Sequence, residues 1–203
     1  IWGAPLKIIS GFPPPMNYSE APYGVGFTKL GSAGSAEKYS MPDGAELGPH
    51  DIIAFNNYVA GLTYAKKVNK PVLIDFTGYA CVNCRKMEEH VWPKASIKSY
   101  FENDYVLISL YVDDKKELPE AQKLTVNRLG GGTRVLENYG HKWAHFQTQF
   151  FQSNSQPYYA LLSPDGKTLL NPPVGYTPDE QDYKSFLDCG LEAFEALSPP
   201  NYK

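Results

Sequence analysis

The sequence predicts an α/β domain in which helices flank a mixed central sheet, and three stretches carry this prediction. Residues 72–76 are typical of a buried strand, and after a short turn a helix begins at Cys81. Residues 105–112 are almost continuously apolar, which indicates a strand buried on both faces in the middle of a sheet. Ser163-Pro-Asp-Gly-Lys167 predicts a hairpin turn. A parallel strand–helix–strand unit and an antiparallel hairpin together make the sheet a mixed one.

The first fifty residues are predicted to form an irregular extension or linker. They hold 7 of the 17 prolines and 8 of the 17 glycines, and they show neither helical nor strand periodicity. Four aromatic residues leave docking on the domain open as an alternative to disorder: Phe12, Tyr18, Tyr23 and Phe27. A proline-rich recognition site is the less favoured interpretation. We therefore divide the chain into an extension over 1–50 and a folded domain over 51–203.

The domain is predicted to open with a core-facing helix from Asp51, its N-cap, to about Asn69. Five apolar residues follow helical spacing over this stretch: Ile52, Phe55, Val59, Leu62 and Ala65. The helix that starts at Cys81 comes after the first buried strand and is ended by Pro93. A short helix over about 95–101 then leads to the central strand.

Polar and irregular sequence follows the central strand. Asp113 and Asp114 stand next to two lysines, so a solvated turn is favoured over a paired-carboxylate site. Residues 118–138 show no clear periodicity. Three consecutive glycines within them predict a hairpin turn between two short β-capable runs, 124–126 and 133–136.

An aromatic stripe at helical spacing predicts a packing face after this irregular segment, and a cofactor box is the less favoured interpretation. Its members are Tyr139, Trp143, Phe146 and Phe150. His141 and His145 are four residues apart on the same stretch, which is a spacing that can share a metal ion. No third ligand stands near them, so polar-face histidines are favoured and no metal site is predicted.

The last part of the chain is predicted to complete the sheet and cover it. Residues 158–162 and 168–171 form the two arms of the hairpin and give an antiparallel edge. A final helix runs from Pro178 to about Leu197. Its apolar stripe consists of Tyr183, Phe186, Leu187, Leu191 and Phe194. Cys189 lies at the margin of this stripe, where a packed, unreactive thiol is favoured over a third redox centre.

Cys81 and Cys84 carry the predicted chemistry. The free amides and the positive dipole end of a helix favour a thiolate, so Cys81 at the helix start is the predicted nucleophile. Cys84 lies one turn further in, within reach for a disulfide, and suits a resolving thiol. Half of a zinc site is the alternative, but zinc needs four ligands and the third cysteine, Cys189, is over a hundred residues away.

The residues around this pair resemble the thioredoxin superfamily. Asp75 stands six positions before the first cysteine, as the buried acid of thioredoxins does. The stretch Phe76-Thr-Gly-Tyr-Ala-Cys-Val-Asn-Cys-Arg-Lys-Met-Glu88 is more specifically similar to the C-terminal periplasmic domain of DsbD-type thiol:disulfide interchange proteins. Those domains carry a glutamate four positions after the second cysteine, which is Glu88 here. Ala80 departs from thioredoxin itself, which has tryptophan there, and Val82-Asn83 replaces Gly-Pro.

The resemblance, which covers about residue 51 to the C-terminus, implies a thioredoxin-like fold with an insertion at about 114–152 before the cis-proline strand. Pro157 matches the cis-proline, although a trans bond is the default from sequence alone. A cis bond exposes the preceding backbone, at Gln156, so that a partner segment can pair with it. We therefore expect Gln156 and Pro157 to bind substrate proteins together with Tyr79 and Ala80. The insertion is expected to shape the partner surface.

The resemblance also implies roles for two acids. Asp75, if buried beneath the cysteines, would have a raised pKa and accept the proton that Cys84 loses. Glu88 would add negative charge and raise the pKa of the cysteines, with a solvated helix carboxylate as the alternative. The predicted catalytic residues are thus Cys81, Cys84, Asp75 and Glu88.

As a DsbD-like domain the protein would be a periplasmic reductant, tethered to the inner membrane through its parent protein. It would receive electrons from the transmembrane portion of the parent and pass them to other thiol proteins, for disulfide isomerisation or cytochrome c maturation. Expected partners are these redox proteins and the transmembrane and N-terminal domains of the same parent. An independent disulfide oxidase or isomerase, and a non-enzymatic metal-binding module, are the alternatives. No cofactor is predicted.

Composition limits the other functional classes. At 203 residues and 42% hydrophobic content, the chain can hold one domain with a full core. A net charge of -3 without a basic cluster predicts neither a nucleic-acid partner nor direct lipid binding. Residues 1–9 are apolar but interrupted and far too short to span a bilayer. We expect a targeting segment to precede Ile1 in the full protein.

Overall fold

A computed structural model describes residues 41–197 of the chain. The predicted docking of aromatic residues from the N-terminal extension lies outside this range. The described elements are β1 (Ala45–Leu47), β2 (Ile53–Phe55), α1 (Tyr58–Val68), β3 (Val72–Thr77), α2 (Val82–His90), α3 (Ala95–Asn103), β4 (Val106–Tyr111), β5 (Thr125–Asn127), β6 (Thr133–Val135), α4 (Tyr139–Phe151), β7 (Tyr158–Leu162) and α5 (Glu180–Leu197).

Five strands form the main sheet, in the order β1-β2-β4-β3-β7. β4 pairs in parallel with both β2 and β3, whereas β7 pairs antiparallel with β3 and β1 antiparallel with β2. The prediction of a mixed α/β sheet with the 105–112 stretch at its centre is therefore confirmed. The short runs around the three glycines form a separate two-stranded hairpin, β5–β6, which was also predicted.

Two apolar clusters lie on opposite faces of the sheet. Residues of α2, α3 and α5 pack on one face, and residues of α1 and α4 pack on the other. All residues of β3 and β4 are buried, as expected for strands that are covered on both faces. Gly190 lets α5 approach closely, because a Cβ there would lie 2.3 Å from Cδ1 of Leu161. The helices thus hold the carboxyl ends of the parallel strands in fixed positions, where β3 meets α2.

The first predicted helix begins later than the sequence suggested. Residues 53–55 form β2, and α1 starts at Tyr58 with Asn57 as its N-cap in place of Asp51. The Asn57 side chain accepts hydrogen bonds from two helix amides, at 2.9 and 3.1 Å. Val59, assigned to the core-facing stripe, is 69% exposed. The apolar residues before Asn57 serve the sheet because pairing with β4 buries them, and helical spacing alone does not reveal that pairing.

The extension does not remain irregular up to residue 50. β1 lies within it and pairs with β2, with Ala45 opposite Phe55. A strand of three residues is too short for its periodicity to be recognised in a sequence rich in proline and glycine. The sheet therefore begins before the predicted boundary at residue 51.

Three smaller predictions also change. Residues 168–171 return beside β7 through an isolated bridge between Leu162 and Leu169, and do not form a full strand. Phe150 is 74% exposed, although the aromatic stripe placed it on the packing face. Cys189 is exposed, so the prediction of a packed thiol is wrong.

No described helix is both long and apolar enough to cross a membrane.

Candidate active site

The two cysteines lie where β3 passes into α2. Cys81 is the N-cap of α2, and its Sγ accepts a hydrogen bond from the amide of Cys84 at 3.2 Å. The two residues form a disulfide, with Cα atoms 5.3 Å apart, a usual separation for this bond. Cys81 is partly exposed, whereas Cys84 is buried. A partner can therefore reach Cys81 but not Cys84, which is the order that the sequence predicted.

Asp113 holds the turn that precedes Cys81. Its carboxylate accepts hydrogen bonds from the amides of Tyr79 and Ala80, at 2.9 and 3.0 Å. The Tyr79 ring also stacks on Tyr111, with ring centroids 4.2 Å apart. The predicted turn is present at Asp113, but the side chain is half-buried and binds two amides, so the prediction that it is merely solvated is wrong. The available signal was its position directly after the central parallel strand, because carboxyl ends of parallel strands meet at one edge of a sheet.

Replacing Asp113 with Ala is expected to lower the free energy of unfolding by about 1–3 kcal/mol, since two amides lose their acceptor. Mixed-disulfide formation at Cys81 should slow as well, because the preceding turn is no longer fixed. The matched control is Asp114→Ala, which removes one local hydrogen bond to the amide of Lys116. Urea unfolding of both variants tests the difference. Equal losses in the two would show that Asp113 has no special role in the turn.

A buried ionic cluster lies on α2 and β3, at the end of the sheet that carries the cysteines. Arg85 forms an ion pair with Glu88, with Nη2 and Oε1 2.7 Å apart, and both side chains are buried. The same Nη2 donates to Oγ1 of Thr77 at 3.1 Å and to the carbonyl of Gly78 at 3.4 Å. Asp75 is 1% exposed and lies on β3. Arg85 thus joins the acid on α2 to the turn that carries Cys81.

The two buried acids have raised pKa values. Burial raises the pKa of Asp75 to about 7, although Arg85 and a hydrogen bond from Ser109 oppose the rise. Burial raises the pKa of Glu88 to about 8, with Arg85 lowering it and the charges of Asp75 and Glu89 raising it. Because the two acids interact, their protons come off in two steps, and the apparent pKa of each step belongs to the pair and not to one residue. Arg85 is placed to balance one negative charge when either acid ionises, and burial raises the pKa of both acids towards or above neutral pH.

These findings settle the burial of both acids, but their catalytic roles remain predictions. Asp75 is buried, which is the condition on which its predicted role depends, and this burial raises its pKa. The alternative of a solvated carboxylate at Glu88 is wrong, because Glu88 is 5% exposed. Arg85 was missed by the sequence reasoning. Its only signal was a spacing of three residues to Glu88 on one helix, which is common on solvated helices as well.

The other predicted contact residues lie at the same end of the sheet. The Gln156–Pro157 bond is cis, as the resemblance implied. Tyr158 is opposite Phe76 in the β7–β3 pairing, which places Pro157 beside Thr77 at the start of the cysteine turn. Tyr79 and Ala80 belong to that turn, with Tyr79 partly exposed and Ala80 exposed. The four predicted substrate-binding residues are therefore on one edge, and their role stays a prediction.

Gln147 supports the cis-proline loop from α4. Its side chain is fully buried and donates to the carbonyl of Ser155 at 2.8 Å. It also accepts a hydrogen bond from Nε2 of Gln156 at 3.0 Å. No sequence signal indicates this role, because a glutamine on a helix with an aromatic stripe usually lies on the polar face. α4, which lies within the predicted insertion, thus holds the loop that contains Pro157.

Metal binding has no support in the described range. Residues 41–197 contain no group of three or more His, Cys, Asp or Glu side chains that could hold a metal ion. Nδ1 of His141 accepts a hydrogen bond from the amide of Glu137, at 3.4 Å. Both sulfurs of the Cys81–Cys84 pair are bonded to each other, so neither is available as a zinc ligand in the disulfide form.

The geometry agrees with the comparison with protein families. The model of the thioredoxin-like domain family matches residues 60–188, which is more than half of the chain. The chain belongs to the thioredoxin-like family. The predicted thioredoxin-like fold is therefore confirmed. The fold and the Cys81–Cys84 pair of this thioredoxin-like protein support thiol:disulfide exchange.

Several solved structures are similar to this thioredoxin-like chain at low identity. DsbH oxidoreductase is 19% identical with a TM-score of 0.49, over 67% of this chain and 82% of that chain. A thioredoxin from Thermus thermophilus is 15% identical with a TM-score of 0.49, over 71% and 92%. A disulphide isomerase from Xylella fastidiosa is 12% identical with a TM-score of 0.35, over 68% and 86%. These likenesses carry no conclusion about activity. A search of curated proteins finds no match.

Proposed function

We propose that this protein is a thiol:disulfide oxidoreductase that acts as a reductant for other thiol proteins. The observation that carries the proposal is the Cys81–Cys84 disulfide, with one sulfur accessible at a helix N-terminus and the other buried. A partner disulfide can meet Cys81 only, which separates attack from resolution. The buried acids behind the pair supply a proton acceptor for the resolving step.

The reaction starts from the dithiol form. The Cys81 thiolate attacks a partner disulfide, forms a mixed disulfide and releases one partner thiolate. Cys84 then loses its proton to the carboxyl pair and attacks Sγ of Cys81. The second partner thiolate leaves, and Cys81 and Cys84 are oxidised to the disulfide. Two electrons pass to the partner, and one proton passes from Cys84 to the protein interior.

The charge beneath the cysteines favours a reductant. A strong oxidant of this fold stabilises its reduced form by a low thiol pKa. Here one ionised carboxylate balances Arg85, and a second carboxyl group adds negative charge when it ionises. No net positive charge is left in the cluster to stabilise a thiolate at Cys81. The Cys-Val-Asn-Cys sequence followed by Glu88, which resembles DsbD-type domains, supports the same direction of electron flow.

The proposed setting follows from that resemblance. The protein works in the periplasm, tethered to the inner membrane by its parent protein. The transmembrane part of the parent supplies electrons. Thiol proteins that serve disulfide isomerisation or cytochrome c maturation receive them. The partner segment lies against the edge formed by Tyr79, Ala80, Gln156 and Pro157.

The reduction potential of the cysteine pair is the measurement that tests the proposal. Equilibration with a glutathione or dithiothreitol redox buffer should give a value nearer to that of thioredoxin, about -270 mV, than to that of DsbA, about -120 mV. The protein should also reduce insulin disulfides, and Cys81→Ser should abolish this activity. Cys84→Ser should instead trap the mixed disulfide. A potential close to that of DsbA would support an independent oxidase, and stoichiometric metal without insulin reduction would support a metal-binding module.

A further inference from the structure

A row of polar side chains crosses the sheet face that packs against α2. This face is otherwise apolar, with Leu73, Leu107 and Leu161 in its core cluster. In the strand register Asp75 of β3 lies beside Ser109 of β4. Phe55 of β2 is opposite Ile108, so the next residue, Asn56, continues the row beside Ser109. Polar residues therefore run from the middle of the sheet to the end of β2, beside the edge strand β1.

Polar contacts are found at both ends of the row. The Ser109 hydroxyl donates to the Asp75 carboxyl group and lowers its pKa. Oδ1 of Asp75 is buried, and this oxygen is without a hydrogen bond among the described residues. At the opposite end, Nδ2 of Asn56 donates to Oε2 of Glu46 at 2.7 Å. Asn56 and Glu46 are exposed, whereas Ser109 and Asp75 are buried, so the row leads from the interior to solvent.

A small cavity lies along the same row. It has a volume of about 10 Å³, and its polar lining comes from Glu46, Asn56, Glu88, Ser109 and Tyr111. A space of this size holds about one water molecule, and such a water needs two to four polar partners. The lining residues can supply them. Glu88 lines this cavity directly, and Asp75 reaches it only through its strand neighbour Ser109, so the cavity lies between the buried acids and the Asn56–Glu46 pair.

Packing alone does not account for this arrangement. A buried hydroxyl or carboxyl group on an apolar sheet face costs free energy that an aliphatic side chain would not. The unpartnered Oδ1 of Asp75 adds to that cost. The thiol reaction provides a use for the row. Asp75 is buried, and the disulfide partner covers the cysteine side of the site during the reaction. A proton taken from Cys84 therefore needs another way to solvent.

We propose that the polar row is a proton path that connects Asp75 to solvent at the β1–β2 edge, through Ser109 and the cavity water to the Glu46 carboxylate, which the Asn56 side chain holds in position. The proposal rests on the thiol exchange proposed above. When Cys84 attacks the mixed disulfide, its proton moves to Asp75 and leaves along the row, and the S–S bond forms as the partner thiolate departs. When the disulfide is reduced again, the path carries a proton inward.

Several charged or titratable groups face this path from the packed elements. Arg85 and Glu88 reach it from α2, with Glu88 lining the cavity directly. Tyr111 lines it from β4 and Tyr159 adjoins Asp75 from β7, and burial raises the pKa of both phenols. Glu46 closes it from β1. Glu88 is thus the one buried acid besides Asp75, among these groups, that can hold the proton on its way out.

Two variants of equal shape test the path. Ser109→Thr keeps the hydroxyl, whereas Ser109→Val replaces it with a methyl group. The reduced protein is mixed with a chromogenic aromatic disulfide, which releases one coloured thiolate when Cys81 attacks and a second when Cys84 resolves. We expect the first release to be equal in the two variants. The second should be at least about tenfold slower in Ser109→Val, and a small diffusible buffer should partly restore it.

Equal second-phase rates in the two variants, or no effect of added buffer, would overturn the path. If Ser109→Val does not fold, Asn56→Leu tests the exit, with Asn56→Gln as its control at the same exposed position. A slower second release in Asn56→Leu alone supports the path, and equal rates overturn it. Failure of the unmodified protein to release any thiolate would instead contradict the proposed thiol exchange, so the two failures are distinguishable.

Discussion

Replacing Asp75 with Asn is expected to slow the resolving step of thiol exchange by about 100-fold near pH 7, with little change in mixed-disulfide formation. Asp75 is buried and carries a raised pKa near 7, so it can accept the proton that Cys84 loses. An amide has nearly the same shape but cannot take up this proton. Cys81 is partly exposed and can lose its proton to solvent, so the first step should not depend on Asp75.

The pH dependence gives this prediction a sharper form. In the unmodified protein the second release of coloured thiolate should accelerate as pH rises through about 7, because Asp75 then becomes ionised and able to accept a proton. In Asp75→Asn that rise should disappear, leaving only the increase from ionisation of the Cys84 thiol. Glu102→Gln is the control, since it removes an exposed carboxyl group on α3. Equal rates for both steps in Asp75→Asn and the unmodified protein would contradict the role of Asp75.

The parts of the site that could be predicted are those that depend on residues close together in the sequence. The strand, turn and helix around Cys81 follow from local periodicity and from the helix dipole, and these signals lie within about twenty residues. The fold class followed from the same kind of information, because strand–helix–strand units have a strongly preferred arrangement. Pro157 is different, since only the resemblance to thioredoxins indicated its cis bond.

The residues that the sequence analysis did not predict all depend on contacts between parts of the chain that are distant in sequence. Asp113 lies 34 positions from the amide of Tyr79 that it binds. Its pairing depends on which strands become neighbours, and sequence periodicity does not state that. Asn57 and β2 were missed for the same reason, because pairing with β4 decided the structure of residues 53–55. Arg85 was obscured in another way. Lysine and arginine three residues from a glutamate usually lie in water, and only the packing of α2 on the sheet buries this pair.

Replacing Arg85 with Met is the second change with a large expected effect, a loss of about 3–5 kcal/mol in the free energy of unfolding above pH 8. The substitution leaves Glu88 buried without its cation, and Thr77 and Gly78 lose a donor. Lys86→Met is the matched control, because it removes the neighbouring cation at a partly exposed position of α2. Its effect should be within about 0.5 kcal/mol. Urea unfolding at several pH values measures both.

The sign of the pH effect follows from the raised pKa of Glu88, about 8. Arg85 stabilises the ionised carboxylate, so its removal raises that pKa further and penalises folding as the pH passes through 8 and above. At pH 5 the buried acids are protonated, and Arg85→Met should lose mainly hydrogen bonds and packing. The double variant Arg85→Met/Glu88→Leu removes both charges and should recover most of the loss at high pH. A loss of unfolding free energy in the double variant that instead equals the sum of the losses in the two single variants would mean that Arg85 and Glu88 do not interact. In that case the charge balance proposed beneath the cysteines loses its basis.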